Sequence, residues 1–370
     1  MDGGSIACSV FVDLAKAFDT VDHNILLDKL QLCGIRGLPG KLIHDYLSNR
    51  CQVTMVNGKA SFPKKISCGV PQGSILGPLL FLIYMNDLPG ATSFSIKLFA
   101  DDACLILDHK DQTKLQFLVN NELQKVNNWM KLNRLSINYD KTNYIIFTKK
   151  KLKSVMNIKL EGHKLERVKE TKYLGVMLNE KLNWSKPINF IRNKLNRASY
   201  ILSKLRHYVD TETLKMVYYS LVNSHLSYCI STWGGAPPSI LEPLNIVQRK
   251  IIRIMTYSHY QARTTPHFLE LKILKLQDIY KLNLSLLFHK IHNNQIVGQH
   301  HLINIRDIHS HNTRLSNNNN YFTNFHRTNI GLTTYSASGT KIWTKLPINI
   351  KNKPFPLFKK EVKILLFKNY

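Results

Sequence analysis

Three aspartates constrain this chain more than any other feature. Asp13 ends a short apolar run, Val10-Phe11-Val12-Asp13-Leu14, and Asp101-Asp102 follow 88 positions later, in Phe99-Ala100-Asp101-Asp102-Ala103. Ile6 to Val12 is strand-like in length and β-branching, and Ser95–Ala100 and Ala103–Leu107 read as two strands around the acidic pair. Only tertiary structure can join sites so distant. If the first strand pairs with the hairpin, three carboxylates meet at one edge of a sheet. Clustered carboxylates repel, and burying them together is costly unless a cation or proton compensates. Mg²⁺ is the hard, oxygen-seeking ion that fits, and it prefers carboxylates plus substrate phosphates to an all-protein cage. Two such ions activate an attacking oxygen and stabilise a leaving one in phosphoryl displacement. Each piece also has a plainer reading. An Asp after a strand is often a helix N-cap, and Asp-Asp is often a turn.

Around these sites the first half alternates strand and helix signals. Asp22 begins an apolar-periodic stretch through Leu26, Leu27 and Leu30 that ends near Gly34, and Leu38 to Leu47 reads as a second short helix. Cys51–Val56 and Ala60–Cys68 flank Asn57-Gly58, a type I′ hairpin signal. Ser74 to Asp87 reads as a helix with Pro78 in its first turns, and Thr113 to Leu132 as an amphipathic helix. Tyr144–Phe147 reads as a strand and Lys172–Leu178 as a small hairpin.

The second half is mostly helical. Ile188, Ile191, Leu195, Ala198, Leu202 and Leu205 recur at spacings of 3, 4, 3, 4 and 3, one face of a helix. Arg192, Lys194, Arg197, Lys204 and Arg206 take other faces, either as a solvated surface or as contacts to a phosphate backbone. Thr213–Tyr228 and Ser239–Met255 read as two further helices separated by Gly234-Gly235-Ala236-Pro237-Pro238. Pro266 starts another, followed by Ile279–Ile291. Residues 292–329 are rich in His and Asn and read as loop. His292, His300, His301, His309 and His311 lack a partnering Cys or an H-x-x-x-H spacing, so no metal site is expected there. Beyond residue 310 come ten basic residues (Arg314, Arg327, Lys341, Lys345, Lys351, Lys353, Lys359, Lys360, Lys363 and Lys368) and one acid, Glu361. That region reads as a nucleic-acid contact surface.

Whole-chain numbers agree with a polyanionic partner. The 370 residues hold 51 Lys and Arg against 24 Asp and Glu, a net charge of +27, far more than solubility requires. A hydrophobic share of 44% excludes a natively disordered chain. The length suggests two or three domains. Six scattered cysteines, with no C-x-x-C, read as reduced buried thiols of an intracellular protein. The N-terminus lacks a signal peptide's basic and apolar regions. The longest apolar run, near Ile75 to Met85, is too short for a bilayer, which takes ~20 residues. The expected protein is intracellular, neither secreted nor membrane-embedded.

Five segments in order resemble a known family. Phe11 to His23 (Phe11-Val12-Asp13-Leu14-Ala15-Lys16-Ala17-Phe18-Asp19-Thr20-Val21-Asp22-His23) resembles motif A of reverse transcriptases from non-LTR, LINE-type retrotransposons. Gly69-Val70-Pro71-Gln72-Gly73-Ser74 and the residues to Phe81 resemble motif B, and Phe99-Ala100-Asp101-Asp102 resembles motif C. Leu135-Ser136-Ile137-Asn138 with Lys141-Thr142 is similar to motif D, and Tyr173-Leu174-Gly175 to the primer-grip motif E. The likeness is to jockey-like elements. It is specific over about residues 6–180 and looser beyond, where it includes Gly339-Thr340-Lys341-Ile342-Trp343 with Leu346-Pro347.

The resemblance implies an α+β fold: a polymerase palm, an antiparallel sheet with helices packed on one face, followed by a mostly helical thumb and a C-terminal region. The expected division is 1–180 palm, 181–260 thumb and 261–370 basic C-terminal region. The implied activity is RNA-directed DNA polymerisation with an RNA template, a DNA primer and dNTPs. Asp13, Asp101 and Asp102 would hold two Mg²⁺ ions, with Mn²⁺ a possible substitute. Phe18 would be the steric gate under the sugar, or else a core ring. Gln72 and Gly73 would contact nucleotide and template. Lys141 would protonate the leaving pyrophosphate, or else be a solvated lysine. Tyr173, Leu174 and Gly175 would hold the primer end, although Tyr-Leu-Gly is also ordinary hairpin sequence. The family implies nucleus and cytoplasm. Only twelve residues precede Asp13, where the family carries its fingers, so the expectation is an N-terminally truncated enzyme. The alternatives are an inactive remnant that only binds nucleic acid, and a two-metal nuclease, which leaves the motif B pattern and the gate unexplained.

Overall fold

The computed structural model describes residues 3–296, 302–308, 319–323 and 325–370. They form two units, essentially residues 3–174 with 179–181, and residues 175–178 with 182–370. The run Ile6-Ala-Cys-Ser-Val-Phe-Val12 carries apolar residues on both faces, with Ser9 the one polar side chain, so it suits the inside of a sheet. It becomes β1 (Ile6–Val12), the central strand of the first unit.

Short paired strands follow: β2 (Cys51–Gln52) with β5 (Lys64–Lys65), and β3 (Met55–Val56) with β4 (Lys59–Ala60). Asn57 and Gly58 both have positive φ, 49° and 76°, as the expected type I′ turn requires. The hairpin splits into two-residue ladders because its residues are exposed on both faces and Pro63 has no N–H to donate. The main sheet also contains β6 (Ser95–Phe99), β7 (Asp102–His109), β8 (Asn143–Phe147) and β11 (Glu166–Arg167), in the order β11-β8-β1-β7-β6. All pairings are antiparallel except β11 with β8. A small hairpin, β9 (Lys159–Leu160) with β10 (His163–Lys164), lies between β8 and β11 in sequence.

Period-two alternation sorts the side chains. Ile6, Cys8, Val10 and Val12 join Ala103, Leu105, Tyr144 and Ile146 in one buried cluster. The same cluster takes Leu115, Val119, Leu123, Val126 and Met130 from α4 (Gln112–Leu132), whose apolar residues recur every three or four positions. Asp111 caps α4, its Oδ1 accepting from Lys114 N at 2.7 Å. The helices α1 (His23–Leu32), α2 (Gly37–Leu47) and α3 (Leu76–Met85) complete the unit. Asp22 caps α1 by accepting from Asn24 N and Ile25 N. At the boundary between the units along the chain, a last hairpin, β12 (Glu170–Tyr173) with β13 (Val176–Asn179), turns through Leu174 and Gly175, both at positive φ.

The second unit is helical. Its core includes Ile188, Leu195, Ala198 and Leu202 of α5 (Ser185–Leu205), as the spacing predicts, and α5 packs along α9 (Pro238–Met255). The expected single helix over Thr213–Tyr228 is instead α6 (Thr211–Tyr218), a π-turn over Tyr219–Asn223, and α7 (Ser224–Ser227). The reason lies in the spacing. Leu214, Tyr218, Val222 and Leu226 are all buried and all four apart. Each four-residue step over-rotates an α-helix by about 40°, and a wider π-turn brings the later two back to the core. After α8 (Ile230–Trp233) and α9 come α10 (Thr265–Glu270) and α11 (Leu276–His292).

Residues of the expected thumb and of the expected C-terminal region share this one core, which runs from Ile188 to Leu366. Two expectations change here. Lys351, read as part of a basic contact surface, is 1% exposed, with Nζ donating to Asn320 Oδ1 at 2.8 Å over the Trp343 ring. Burial pushes its ammonium down to about 8. Of the six thiols only Cys8 and Cys104 are buried; Cys33, Cys51 and Cys68 are exposed. His300, His301, His309, His311 and Arg314, and part of the Asn317–Asn320 run, lie outside the described residues. No described helix is long and apolar enough to cross a membrane.

Candidate active site

The sheet register brings the acidic residues together. Val12 pairs with Ala103 on β1 and β7, so Asp13 and Asp102 are the next facing positions at the same sheet end. By the same alternation they continue the face of Phe11 and Cys104, opposite α4. The β6–β7 turn differs by one residue from the expected acidic tip. Phe99 pairs with Asp102, so Ala100, at φ 51°, and Asp101 make the turn, while Asp102 opens β7. The Asp102 carboxyl is pushed above the usual range by burial, and further by the charges of Asp101 and Asp13.

Asp13 is held by its backbone. Its N–H donates to Thr142 Oγ1 at 3.3 Å, its carbonyl accepts from Asn138 N at 2.8 Å, and Thr142 Oγ1 donates to Asn138 O at 2.7 Å. Leu14 and Ile137 form a bridge, and Ala15 N donates to Ser136 O. Motif D thus lies against motif A. Lys141 Nζ stands 3.9 Å from Asp13 Oδ2. On the same sheet face the Tyr173 ring packs 5.4 Å from Phe11, and burial, with Cys104 and Asp102, pushes its hydroxyl up to about 12.

The motif B residues form the adjoining wall. Gly69 N donates to Val21 O, Val70 N donates to Phe18 O, and His23 Nε2 donates to Gly69 O at 2.8 Å. Gly69 has φ +88°, and a Cβ there would lie 2.8 Å from Asp19 O, so only glycine fits. Gln72 Nε2 donates to Asp19 Oδ1 at 2.8 Å. Gly73 is exposed at φ +82° with open space around it, so conformation rather than crowding calls for glycine there. Phe18 is half-buried, its ring 4.5 Å from that of Phe81 on α3. A cleft of about 720 Å³ opens beside these residues, lined by Asp19, Arg50, Gln52, Gly69, Pro71 and Gln72 among others.

The geometry gathers Asp13, Asp101, Asp102, Lys141 and Tyr173 at one sheet end and places Phe18 and Gln72 on the wall next to it. Leu174 and Gly175 form the β12–β13 turn. Sequence reading missed the supporting residues Asp19, His23, Asn138 and Thr142. All four lay inside quoted motifs, but each acts through a hydrogen bond to a backbone or side-chain group that no local pattern reveals.

Among the described residues, no three His, Cys, Asp or Glu side chains make a ready metal cage. The donor chemistry nevertheless suits a hard cation that substrate phosphates help to hold. Adjacent carboxylates, one of them already pushed toward neutrality, favour an ion that would relieve them.

Residues 2–178 match the family described as reverse transcriptase (RNA-dependent DNA polymerase), and the palm they form is a reverse transcriptase domain. The curated proteins it resembles are polymerases of non-LTR, jockey-like elements. The chain is 27% identical over 281 residues to a probable RNA-directed DNA polymerase from transposon X-element of Drosophila melanogaster, covering 73% of this chain and 30% of that one. It is 28% identical over 293 residues to the RNA-directed DNA polymerase from mobile element jockey of the same fly, covering 75% and 31%. It therefore spans under a third of the length of these curated relatives. A solved telomerase from Candida albicans aligns at 12% identity with a TM-score of 0.36, over 73% of this chain and 51% of that one.

Proposed function

We propose that this chain acts in RNA-directed DNA synthesis, transferring a deoxynucleotide to a primer 3′-OH on an RNA template, with pyrophosphate released. The observation that carries this is the register placing Asp13 and Asp102 at facing positions with Asp101 in the adjoining turn. These three would hold two divalent cations, Mg²⁺ or Mn²⁺, which when bound supply Lewis-acid polarisation of the phosphoryl group. Lys141 would deliver a proton to the leaving pyrophosphate. Phe18 would lie under the incoming sugar, where its ring leaves no space for a 2′-OH. Gln72 and Gly73 would contact nucleotide and template, and Tyr173, Leu174 and Gly175 would hold the primer end.

The test is primer extension on an RNA template with Mg²⁺, comparing the chain with an Asp101→Asn, Asp102→Asn variant. The expected result is extension by the chain and none by a variant with an unchanged circular dichroism spectrum. Equal extension by both would overturn the assignment. No extension by either would leave a nucleic-acid-binding remnant as the reading.

A further inference from the structure

A cavity of about 330 Å³ lies wholly within the helical unit, at the small end of the range for ligand sites. It is bounded by α11, the π-turn and the last helix, Phe355–Phe367. The pattern of that last helix builds one wall. Phe358, Val362 and Leu366 are buried in the core, so Lys359 and Lys363, each beside one of them in sequence, come to the edge of the packed face and line the cavity. Leu282 and Leu286 stand one turn apart on α11 and make an apolar floor with Leu274. The π-turn supplies the remaining side: its first and last residues, Tyr219 and Asn223, both reach the cavity. Such turns recur at functional sites.

Charge inside the cavity is unbalanced. No described Asp or Glu lines it. Lys359 and Lys363 have no carboxylate partner among the described residues, and Glu361, which lies between them in sequence, is paired with Lys353 at 2.7 Å. Two ammonium groups one turn apart on a helix repel each other. Burial, together with Lys359, pushes the Lys363 ammonium below its ordinary value. Asn223 is half-buried at the same wall, and its amide makes no hydrogen bond among the described residues. A bound anion would relieve the lysines and satisfy the amide. Size and floor narrow its chemistry. About eleven water-sized groups fill 330 Å³, enough for an anionic head with about eight carbons and roughly half of what a nucleotide requires. A leucine floor matches a hydrocarbon chain, which gains by leaving water, and offers a sugar-phosphate backbone nothing.

We propose that this cavity binds a medium-chain aliphatic anion, its head on Lys359, Lys363 and the Asn223 amide and its chain on Leu274, Leu282 and Leu286. Binding here needs no polymerase activity, so it is measured by titration calorimetry of the full chain in EDTA. An anionic head on such a chain has two sources, a fatty carboxylate and a phosphate monoester. The probes are therefore octanoate and octyl phosphate, with butyrate, octylamine and thymidine monophosphate beside them. At least one of the two octyl anions should bind at a single site, and the stronger of them names the head group. Butyrate should bind at least about tenfold more weakly, for want of the chain, and octylamine should not bind. Lys359→Met and Lys363→Met keep the stem and remove the charge, and each should weaken binding about tenfold. Lys363→Arg restores the charge and should stay within about threefold of the parent, which separates the charge from a folding defect. Lys345→Met, the same change elsewhere on the unit, should alter binding under about twofold. No binding of either octyl anion up to about 10 mM, equal binding of octylamine, equal binding of thymidine monophosphate, or an equal loss in Lys345→Met would overturn the proposal.

Discussion

Asp13 is fixed in space by a buried threonine. Thr142 is almost fully buried and accepts from the Asp13 N–H while donating to Asn138 O. Thr142→Val keeps the shape but removes the acceptor and leaves the Asp13 N–H without it, at a cost of about 1–3 kcal/mol. The expected outcome is a kcat for primer extension lower by about tenfold, since small misplacements of reacting groups carry costs of that order. Thr142→Ser should restore both stability and rate. Unchanged turnover in the valine variant would show that the β1–β7 pairing alone positions the carboxylate. At this scale the acidic residues themselves were legible, because a carboxylate at a strand end or turn announces its charge. The threonine was not. Its role depends on a partner 129 positions away, and no local pattern encodes that distance.

Among elements, the β6–β7 hairpin that carries Asp101 and Asp102 is anchored from behind by α4. Glu122 is buried, and its Oε2 accepts from Thr92 Oγ1 and Ser93 N, both at 2.7 Å, just before β6, while Oε1 accepts from Lys125 Nζ. Burial pushes this carboxyl up, but the hydrogen bonds outweigh burial and hold it down at about 2, against 4.5 for a free glutamate. A depressed carboxyl contributes stability that is complete above its unfolded value and is lost as pH falls through its folded value. Urea midpoints should therefore fall between about pH 4.5 and pH 2, with a contribution on the order of 2–3 kcal/mol. In Glu122→Gln that part of the pH dependence should vanish. Identical pH profiles for the two chains would count against the anchor. The legible elements were those with strong periodicity, α4, α5 and β1. The π-turn was not legible, because a run of four-residue spacings still looks helical until the core it must face is known. The acidic turn was misplaced by one residue, since Ala100 gives no sequence signal for its left-handed backbone.

For the whole molecule, a charge of +27 predicts that affinity for an RNA–DNA duplex falls steeply with salt, log affinity declining linearly with log salt. A flat response between about 50 and 200 mM salt would remove phosphate contacts from the account. The charge total was legible, but its distribution was not. Arg192, Lys194, Arg197 and Lys204 lie exposed along α5, whereas Lys351 is sealed beside Trp343 and contributes nothing to a surface. The central place of β1 has a consequence for how the protein is made. Its partner β7 ends about 100 residues downstream, and Phe147 of β8, which pairs with Ala7, about 140 downstream. At the usual ~5–20 residues per second, β1 leaves the ribosome several seconds, and up to about half a minute, before its second neighbour exists. A strand with apolar residues on both faces, and with two open edges for that interval, is the segment of this chain most prone to mispairing in the cell. Slowing its synthesis between residues 12 and 143, or withholding chaperones, should reduce the yield of soluble protein before it alters any property of the folded molecule.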